Sequence, residues 1–161
     1  MPSLVFNPIG VIRTPFDKPE GTPIQPSRAA GARGTVEVLP EFADGLADLD
    51  GFSHIIVLYV FHRSEGFALR VMPFLDVYQR GVFATRAPCR PNPIGLSVLE
   101  LRGIHGGTLE VANVDMIDGT PLLDIKPYVP QFDCANDVRL GWLTGKSHIE
   151  GAGLADSRFT C

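Results

Sequence analysis

The sequence contains few of the residues that build common small-protein sites. Its three cysteines, Cys89, Cys134 and Cys161, are far apart, which is typical of neither a disulfide framework nor a metal knuckle. Its four histidines form no HExxH-like cluster, so we predict no metal site. No apolar run approaches the roughly 20 residues that cross a bilayer, and the N-terminus lacks the pattern of a signal peptide. We therefore expect a cytoplasmic protein that does not enter a membrane.

Positive charge is also scarce. The formal net charge is −4 at pH 7, which argues against broad, non-specific binding of nucleic acid, although it leaves room for a local basic patch. The sequence also has no GxGxxG motif after a strand and no βαβ alternation. These two absences exclude the usual dinucleotide-type fold for nucleotides and for S-adenosylmethionine.

The most distinctive stretch present is FATRAPCRPNPIGLS, residues 83–97. Its three prolines fix their own φ angles and restrict the preceding residues, so the stretch cannot be a helix and only its ends can join a sheet. It can hold Arg86, Arg90 and Asn92 in fixed relative positions, which favours binding because little entropy is lost. A proline-rich connector with solvated arginines is an equally weighted interpretation.

Many short apolar segments separated by turns predict a mainly β protein. We predict a small single-sheet β-barrel with short helices and long loops. The predicted strands are 9–13, 34–39, 52–64, 67–78 in its first part, 81–85, 96–104, 109–117 and 122–126, with a helix over 40–49 and a long loop over 17–34. The segment 52–64 is apolar on both faces, which predicts a central strand. The pair 96–104 and 109–117 predicts a hairpin across Gly106 and Gly107.

Polar residues that could carry chemistry follow two of these strands. His62 and Arg63 stand where the central strand turns polar, and Asp115, Asp118 and Asp124 lie in the segment 114–128. A carboxylate can act as a general base, but an aspartate that begins a DGTP turn equally serves the turn itself. Asp124 and the neighbouring lysine are equally consistent with an ion pair on one strand face.

These motifs resemble a known family. IGVIRTPF, GTPIQPS, FSHIIVLYVFHRS, GVFATRAPCRPNPIGLSVLEL and VDMIDGTPLLDIKPYVPQFD together are similar to the TsaA-like (TrmO) family, over about 9–142. The resemblance implies one TsaA-like barrel domain over 1–161, with a C-terminal tail over 143–161. It also implies S-adenosyl-L-methionine as cofactor, a homodimer, and N6-methylation of threonylcarbamoyladenosine beside the anticodon of tRNA.

The resemblance also implies site residues. Those for the cofactor are Gln25, Pro26, Ser27, Phe61, His62, Arg63, Arg86, Leu96, Val114, Asp115, Met116, Ile117 and Asp118. Because the acceptor N–H lies between a purine and a urea carbonyl, a modest base suffices, and our own candidate catalytic bases are Asp118, Asp124 and Tyr128. The candidates for contacts to substrate are Arg13, Arg90, Asn92 and Lys126.

Two alternatives to tRNA methylation stay open. One is methyl transfer to a small molecule or protein, which is favoured by the acidic balance and by the absence from these 161 residues of the C-terminal domain that bacterial members often carry. The other is a non-catalytic barrel that binds S-adenosylmethionine or RNA. We expect tRNA as the partner in the first case.

Overall fold

The protein is a closed antiparallel β-barrel of six strands. A computed structural model describes residues 4–29, 31–146 and 154–155. The strands are β1 (Gly10–Arg13), β2 (Arg33–Val38), β3 (His54–Val60), β4 (Arg70–Val71), β5 (Arg80–Gly81), β6 (Ile94–His105), β7 (Thr108–Ala112) and β8 (Thr120–Pro127). The barrel order is β1-β2-β7-β6-β3-β8, and β4 and β5 form a separate two-stranded sheet. The predicted mainly β barrel is confirmed.

Alternation along the strands builds the core. In β3 every second residue is fully buried, as for Ile55 and Val57, which are 0% exposed. The neighbouring strands add Ile12, Leu99 and Leu122, also 0% exposed. A six-stranded barrel is narrow enough for such side chains to fill its interior, so a ligand site is expected at a mouth rather than inside.

The prediction for the central strand is confirmed. β3 pairs along its length with β6 on one side and with β8 on the other, and both pairings are antiparallel. The predicted hairpin is also present, because β6 pairs with β7 and His105 is opposite Thr108. Gly106, with φ of 60°, supplies the positive φ that a primed two-residue turn requires.

Some predicted element types and boundaries were wrong. The predicted helix over 40–49 is a 3-10 helix, Pro40–Leu46, followed by a 3-10 turn, Leu49–Gly51, because Asp48 has a left-handed φ of 65° that interrupts it. The predicted strand 81–85 is largely a 3-10 turn, Val82–Ala84. The second hairpin strand ends at Ala112, where the left-handed φ of Asn113 turns the chain.

The segment that follows β8 folds back onto the loop that contains Ala84. After the α-helical turn Pro130–Asp133, a 3-10 turn at Gly141–Leu143 places Trp142 so that its Nε1 donates a 2.7 Å hydrogen bond to the carbonyl of Ala84. Asp76, whose side chain is 1% exposed, holds this segment through Lys146 at 2.7 Å and is also paired with Arg80 at 2.7 Å. Most of the predicted tail lies outside the described residues.

Cys89 is buried and disulfide-bonded, which the sequence analysis did not predict, whereas Cys134 is an exposed free thiol. No helix in the described part of the chain is long and apolar enough to cross a membrane.

Candidate functional site

A cavity of about 900 Å³ opens at one mouth of the barrel. Tyr59 and Phe61 bring the end of β3 to this mouth, and Gly95 and Leu96 bring the start of β6. Segments between strands complete the walls. The other lining residues are Pro19, Thr22, Pro23, Ile24, Gln25, Arg63, Ser64, Pro73, Phe74, Leu75, Phe83, Ala84, Thr85, Arg86, Ala87, Pro88, Arg90, Ile94, Asp115, Met116, Ile117, Thr120, Trp142, Leu143 and Ala155.

The long loop and the proline stretch meet across this cavity. Arg86 donates a hydrogen bond from Nη1 to Oε1 of Gln25 at 3.0 Å. Both residues line the cavity, although they are 61 positions apart in the sequence. The guanidinium of Arg86 is thus oriented by an amide before a ligand arrives, which reduces the entropy lost on binding.

The second arginine of the proline stretch has a structural task. Nη1 of Arg90 lies within hydrogen-bond distance of the carbonyls of Val82 at 3.2 Å, Thr85 at 2.9 Å and Ala87 at 3.4 Å. Its guanidinium also lies 5.8 Å from the centre of the Phe83 ring. These contacts fix the loop that carries Arg86. The predicted substrate role of Arg90 therefore competes with its contacts to the protein backbone.

A chain of three side chains runs along the cavity wall. Ser97 donates a 2.6 Å hydrogen bond to Oδ1 of Asp115, and the hydroxyl of Tyr59 lies 3.1 Å from the Ser97 oxygen. Because the single hydroxyl hydrogen of Ser97 goes to the carboxylate, Tyr59 is the donor to Ser97. Burial raises the pKa of Asp115 to about 7, even though Ser97 and Arg86 act in the opposite direction. Burial also raises the pKa of Tyr59, so this phenol keeps its proton.

Aromatic rings form part of the lining. Tyr59 and Phe61 are packed edge to face, with ring centres 5.4 Å apart. Trp142 adds a further ring to the wall, and the centre of this ring lies 5.7 Å from the guanidinium of Arg80 and 5.6 Å from the ammonium of Lys146. Aromatic faces attract cations, so this wall suits a ligand with a positive charge.

The structure brings eight of the thirteen predicted cofactor residues to this cavity. They are Gln25, Phe61, Arg63, Arg86, Leu96, Asp115, Met116 and Ile117. The remaining five are not part of its lining: Pro26, Ser27, His62, Val114 and Asp118.

Local geometry explains why those residues are displaced. Pro26 begins a 3-10 turn and Ser27 is exposed on it. His62 is largely exposed, although its neighbours Phe61 and Arg63 line the cavity. Partial burial, and to a smaller extent the positive charge of Arg63, lower the pKa of His62. Val114 is 0% exposed and belongs to the barrel core.

None of the three predicted catalytic bases lines the cavity. Asp118 accepts the backbone N–H of Thr14 at 3.0 Å, so its carboxylate links the turn before β8 to the chain that follows β1. Asp124 is paired with Lys126 at 2.6 Å. Tyr128 is at the opposite end of β3, where its N–H donates to the carbonyl of His54, roughly 20 Å along the strand from the mouth. Its hydroxyl lies 3.1 Å from Cys134 Sγ, and this hydrogen bond raises the pKa of Tyr128.

The predicted substrate contacts are also dispersed. Arg90 lines the cavity, whereas Asn92 is exposed and Lys126 is occupied by its ion pair. Arg13 lies in a second, shallower groove of about 540 Å³ together with Arg33. There it is 3.5 Å from Glu37 and 3.7 Å from Asp118.

Sequence reasoning missed two polar residues of the site. Ser97 is 1% exposed, and as a small polar residue in an apolar strand it gave no sign of facing a carboxylate. Thr120 is also buried at the cavity, where its hydroxyl donates to the carbonyl of Ile117 at 2.7 Å. Trp142 also lines the cavity, although it was not among the predicted site residues.

By its fold, the protein is a closed β-barrel with a cavity at one mouth that is large enough for a small molecule. Residues 11–134 match the family model described as tRNA-methyltransferase O N-terminal domain. The chain belongs to this family, as the sequence motifs indicated.

Individual relatives agree. The chain is 51% identical over 156 residues to a "Probable S-adenosyl-L-methionine-binding protein" of Pyrococcus abyssi, covering 97% of this chain and 85% of that one. It is 36% identical over 143 residues to the tRNA (adenine(37)-N6)-methyltransferase of Homo sapiens, covering 84% of this chain but 32% of that one. It matches the crystal structure of TrmO from Pseudomonas aeruginosa with a TM-score of 0.73 and 42% identity, over 87% of this chain and 62% of that one.

Proposed function

We propose that this protein is an S-adenosyl-L-methionine-dependent methyltransferase that acts on tRNA. The observation that carries the proposal is the cavity at the barrel mouth, where Arg86 and Arg63 lie in one lining with the rings of Tyr59 and Phe61. Family membership and the names of the relatives support the same activity.

The residues fit the chemical groups of this methyl donor. A volume of about 900 Å³ is within the range of small-molecule pockets. The sulfonium cation suits the aromatic face of Phe61, and the methionine carboxylate suits a guanidinium such as Arg86. When bound, the donor supplies a methyl group on positively charged sulfur. The rest of the catalysis is positioning, which preformed walls can provide.

The acceptor we propose is N6 of threonylcarbamoyladenosine beside the anticodon. This nitrogen lies between a purine and a urea carbonyl, so its N–H is more acidic than that of an ordinary exocyclic amine. A single weak base then suffices for the reaction, and strong metal-assisted activation is not required. The groove that contains Arg13 and Arg33 is our candidate for a contact with the RNA backbone.

The test uses purified protein, methyl-labelled donor, and two tRNA pools that differ in one modification. One pool carries the threonylcarbamoyl group, and the other comes from cells that cannot install it. We expect label only in the first pool. Equal label in both pools would contradict the proposed acceptor, and label in protein or small molecules but not in tRNA would select another acceptor.

We also propose that the protein is a cytoplasmic homodimer, because tRNA is its proposed substrate and large apolar side chains remain exposed near the cavity. Phe67, Leu69 and Tyr78 are between 60% and 67% exposed, and Phe83 is 74% exposed. Sedimentation equilibrium should give twice the 17.5 kDa chain mass, and a single-chain mass would contradict the dimer.

A further inference from the structure

We propose that Asp115 is the catalytic base, which accepts the proton that the acceptor nitrogen loses during methyl transfer. This inference rests on the proposed function and replaces the three bases that the sequence suggested. It also departs from the resemblance, which implied that Asp115 contacts the methyl donor.

Few side chains in the cavity lining can accept a proton. Among the described residues that line it, Asp115 is the only carboxylate, and neither histidine nor lysine is among them. The arginines of the lining stay protonated in proteins and so cannot accept a proton. Tyr59 already carries its proton, and burial raises its pKa. Asp115 is thus the lining side chain that can take up a proton near neutral pH.

The carboxylate of Asp115 is held in one orientation by hydrogen bonds. Ser97 donates to Oδ1 at 2.6 Å, and Tyr59 donates in turn to Ser97 at 3.1 Å. Ser97 on β6 and Tyr59 on β3 are 1% and 3% exposed, so their surroundings hold this series of hydrogen-bonded side chains in place. Such a fixed partner positions a general base, as in other sites where a base is oriented by a further group. We assign the incoming proton to Oδ2, the oxygen that Ser97 does not occupy.

The lone pair of the acceptor nitrogen forms a bond to the methyl carbon as the carbon–sulfur bond breaks, and the bonding pair stays on sulfur, which becomes a neutral thioether. The N–H proton passes to Oδ2 of Asp115 and is later lost to solvent.

The environment of Asp115 predicts a pH dependence. Burial raises its pKa to about 7, while Ser97 on β6 and Arg86 on the preceding loop act to lower it. Tyr59 on β3 is the remaining titratable neighbour, and it stays neutral. Because a base must be ionised to accept a proton, methyl transfer should increase as the pH rises through about 7 and then level off.

The experiment compares Asp115→Asn with wild type in single-turnover methyl transfer to threonylcarbamoylated tRNA between pH 5.5 and 9. Calorimetry with S-adenosylmethionine measures donor affinity in parallel. We expect the rate to fall by about 10²–10⁴-fold and to lose its rise with pH, with donor affinity within about threefold of wild type. Asp44→Asn, which removes one exposed acid on the 3-10 helix Pro40–Leu46, is the charge-matched control and should behave as wild type.

Ser97→Ala is the second variant, in case the first does not fold. It keeps the carboxylate but removes the hydrogen bond that lowers the pKa of Asp115, so the pH profile should move to higher pH. A purely structural role for Ser97 would lower the amount of folded protein without moving that profile.

Each outcome is decisive. Asp115→Asn that keeps its rate overturns the inference while the proposed function stands. A loss of activity that comes entirely from donor affinity, tenfold or more, overturns it in favour of a donor contact. Wild type that transfers no methyl group to either tRNA pool refutes the proposed function, and the role of Asp115 as base is refuted with it.

Discussion

Gly95 on β6 allows the ring of Tyr59 to lie directly against the backbone in the cavity wall, and its substitution is our most specific prediction. A Cβ atom at this position would overlap Cε2 and Cζ of the Tyr59 ring, which is 3% exposed and cannot move into solvent. Gly95→Ala must therefore displace the ring. Overpacking of this kind costs about 1–3 kcal/mol, and loss of the Tyr59–Ser97 hydrogen bond adds about 1 kcal/mol. We expect a total loss of about 2–4 kcal/mol.

Urea denaturation followed by far-UV circular dichroism measures this loss, and a double-mutant cycle identifies its cause. In a Tyr59→Ala background the ring is absent, so Gly95→Ala should cost less than about 0.5 kcal/mol. Gly103→Ala is the matched control on the same strand, because its Cβ would meet Nε2 of His105 at an ordinary 3.4 Å. The explanation fails if Gly95→Ala costs as much without the ring as with it.

Three further predictions concern the arginines and the C-terminal segment. Arg86→Ala should weaken S-adenosylmethionine binding roughly 10- to 150-fold by calorimetry, since a charge-assisted bond is worth about 1.5–3 kcal/mol; unchanged affinity rejects that contact. Arg90→Ala should lower the free energy of unfolding by about 1.5–3 kcal/mol, because its carbonyl partners lose a charged donor, and an undiminished stability would contradict this. The hydrogen bond from Lys146 is the largest of the effects that lower the pKa of Asp76. The ion pairs of Asp76 therefore stabilise the fold fully above about pH 4, and this stabilisation decreases as the pH falls further. Because the lowered pKa keeps the Asp76 carboxylate ionised at pH 4, the fluorescence of Trp142, the chain's single tryptophan, should shift to the red only well below pH 4 in wild type, but at neutral pH in Asp76→Asn; an unchanged spectrum in the variant would refute the coupling.

The barrel was predictable because its signals are local. The apolar segment around β3 predicted a strand with neighbours on both sides, and the Gly106–Gly107 pair predicted the hairpin. The helix predicted over 40–49 is divided into two 3-10 segments, because a left-handed residue such as Asp48 is not marked in the sequence. The local sequence pattern therefore predicts the positions of strands more reliably than the ends of short helical segments.

The site was predictable only in part, because it depends on contacts between distant segments. The proline stretch correctly suggested fixed arginines, but only the fold distinguishes Arg86, which lines the cavity with Gln25, from Arg90, which contacts backbone carbonyls. Tyr128 is close in sequence to the DGTP turn, yet β8 carries it to the other end of the barrel. No pattern in the sequence predicted that Ser97 would form a hydrogen bond with Asp115.

The cavity walls come from nearly the whole length of the chain, from Pro19 to Ala155. A pocket assembled in this way cannot survive partial unfolding, so occupancy and global folding are thermodynamically linked. A bound small molecule at 100 times its dissociation constant should add about 2.7 kcal/mol to the folded state. Melting temperature alone can then rank analogues of the methyl donor before any acceptor is identified.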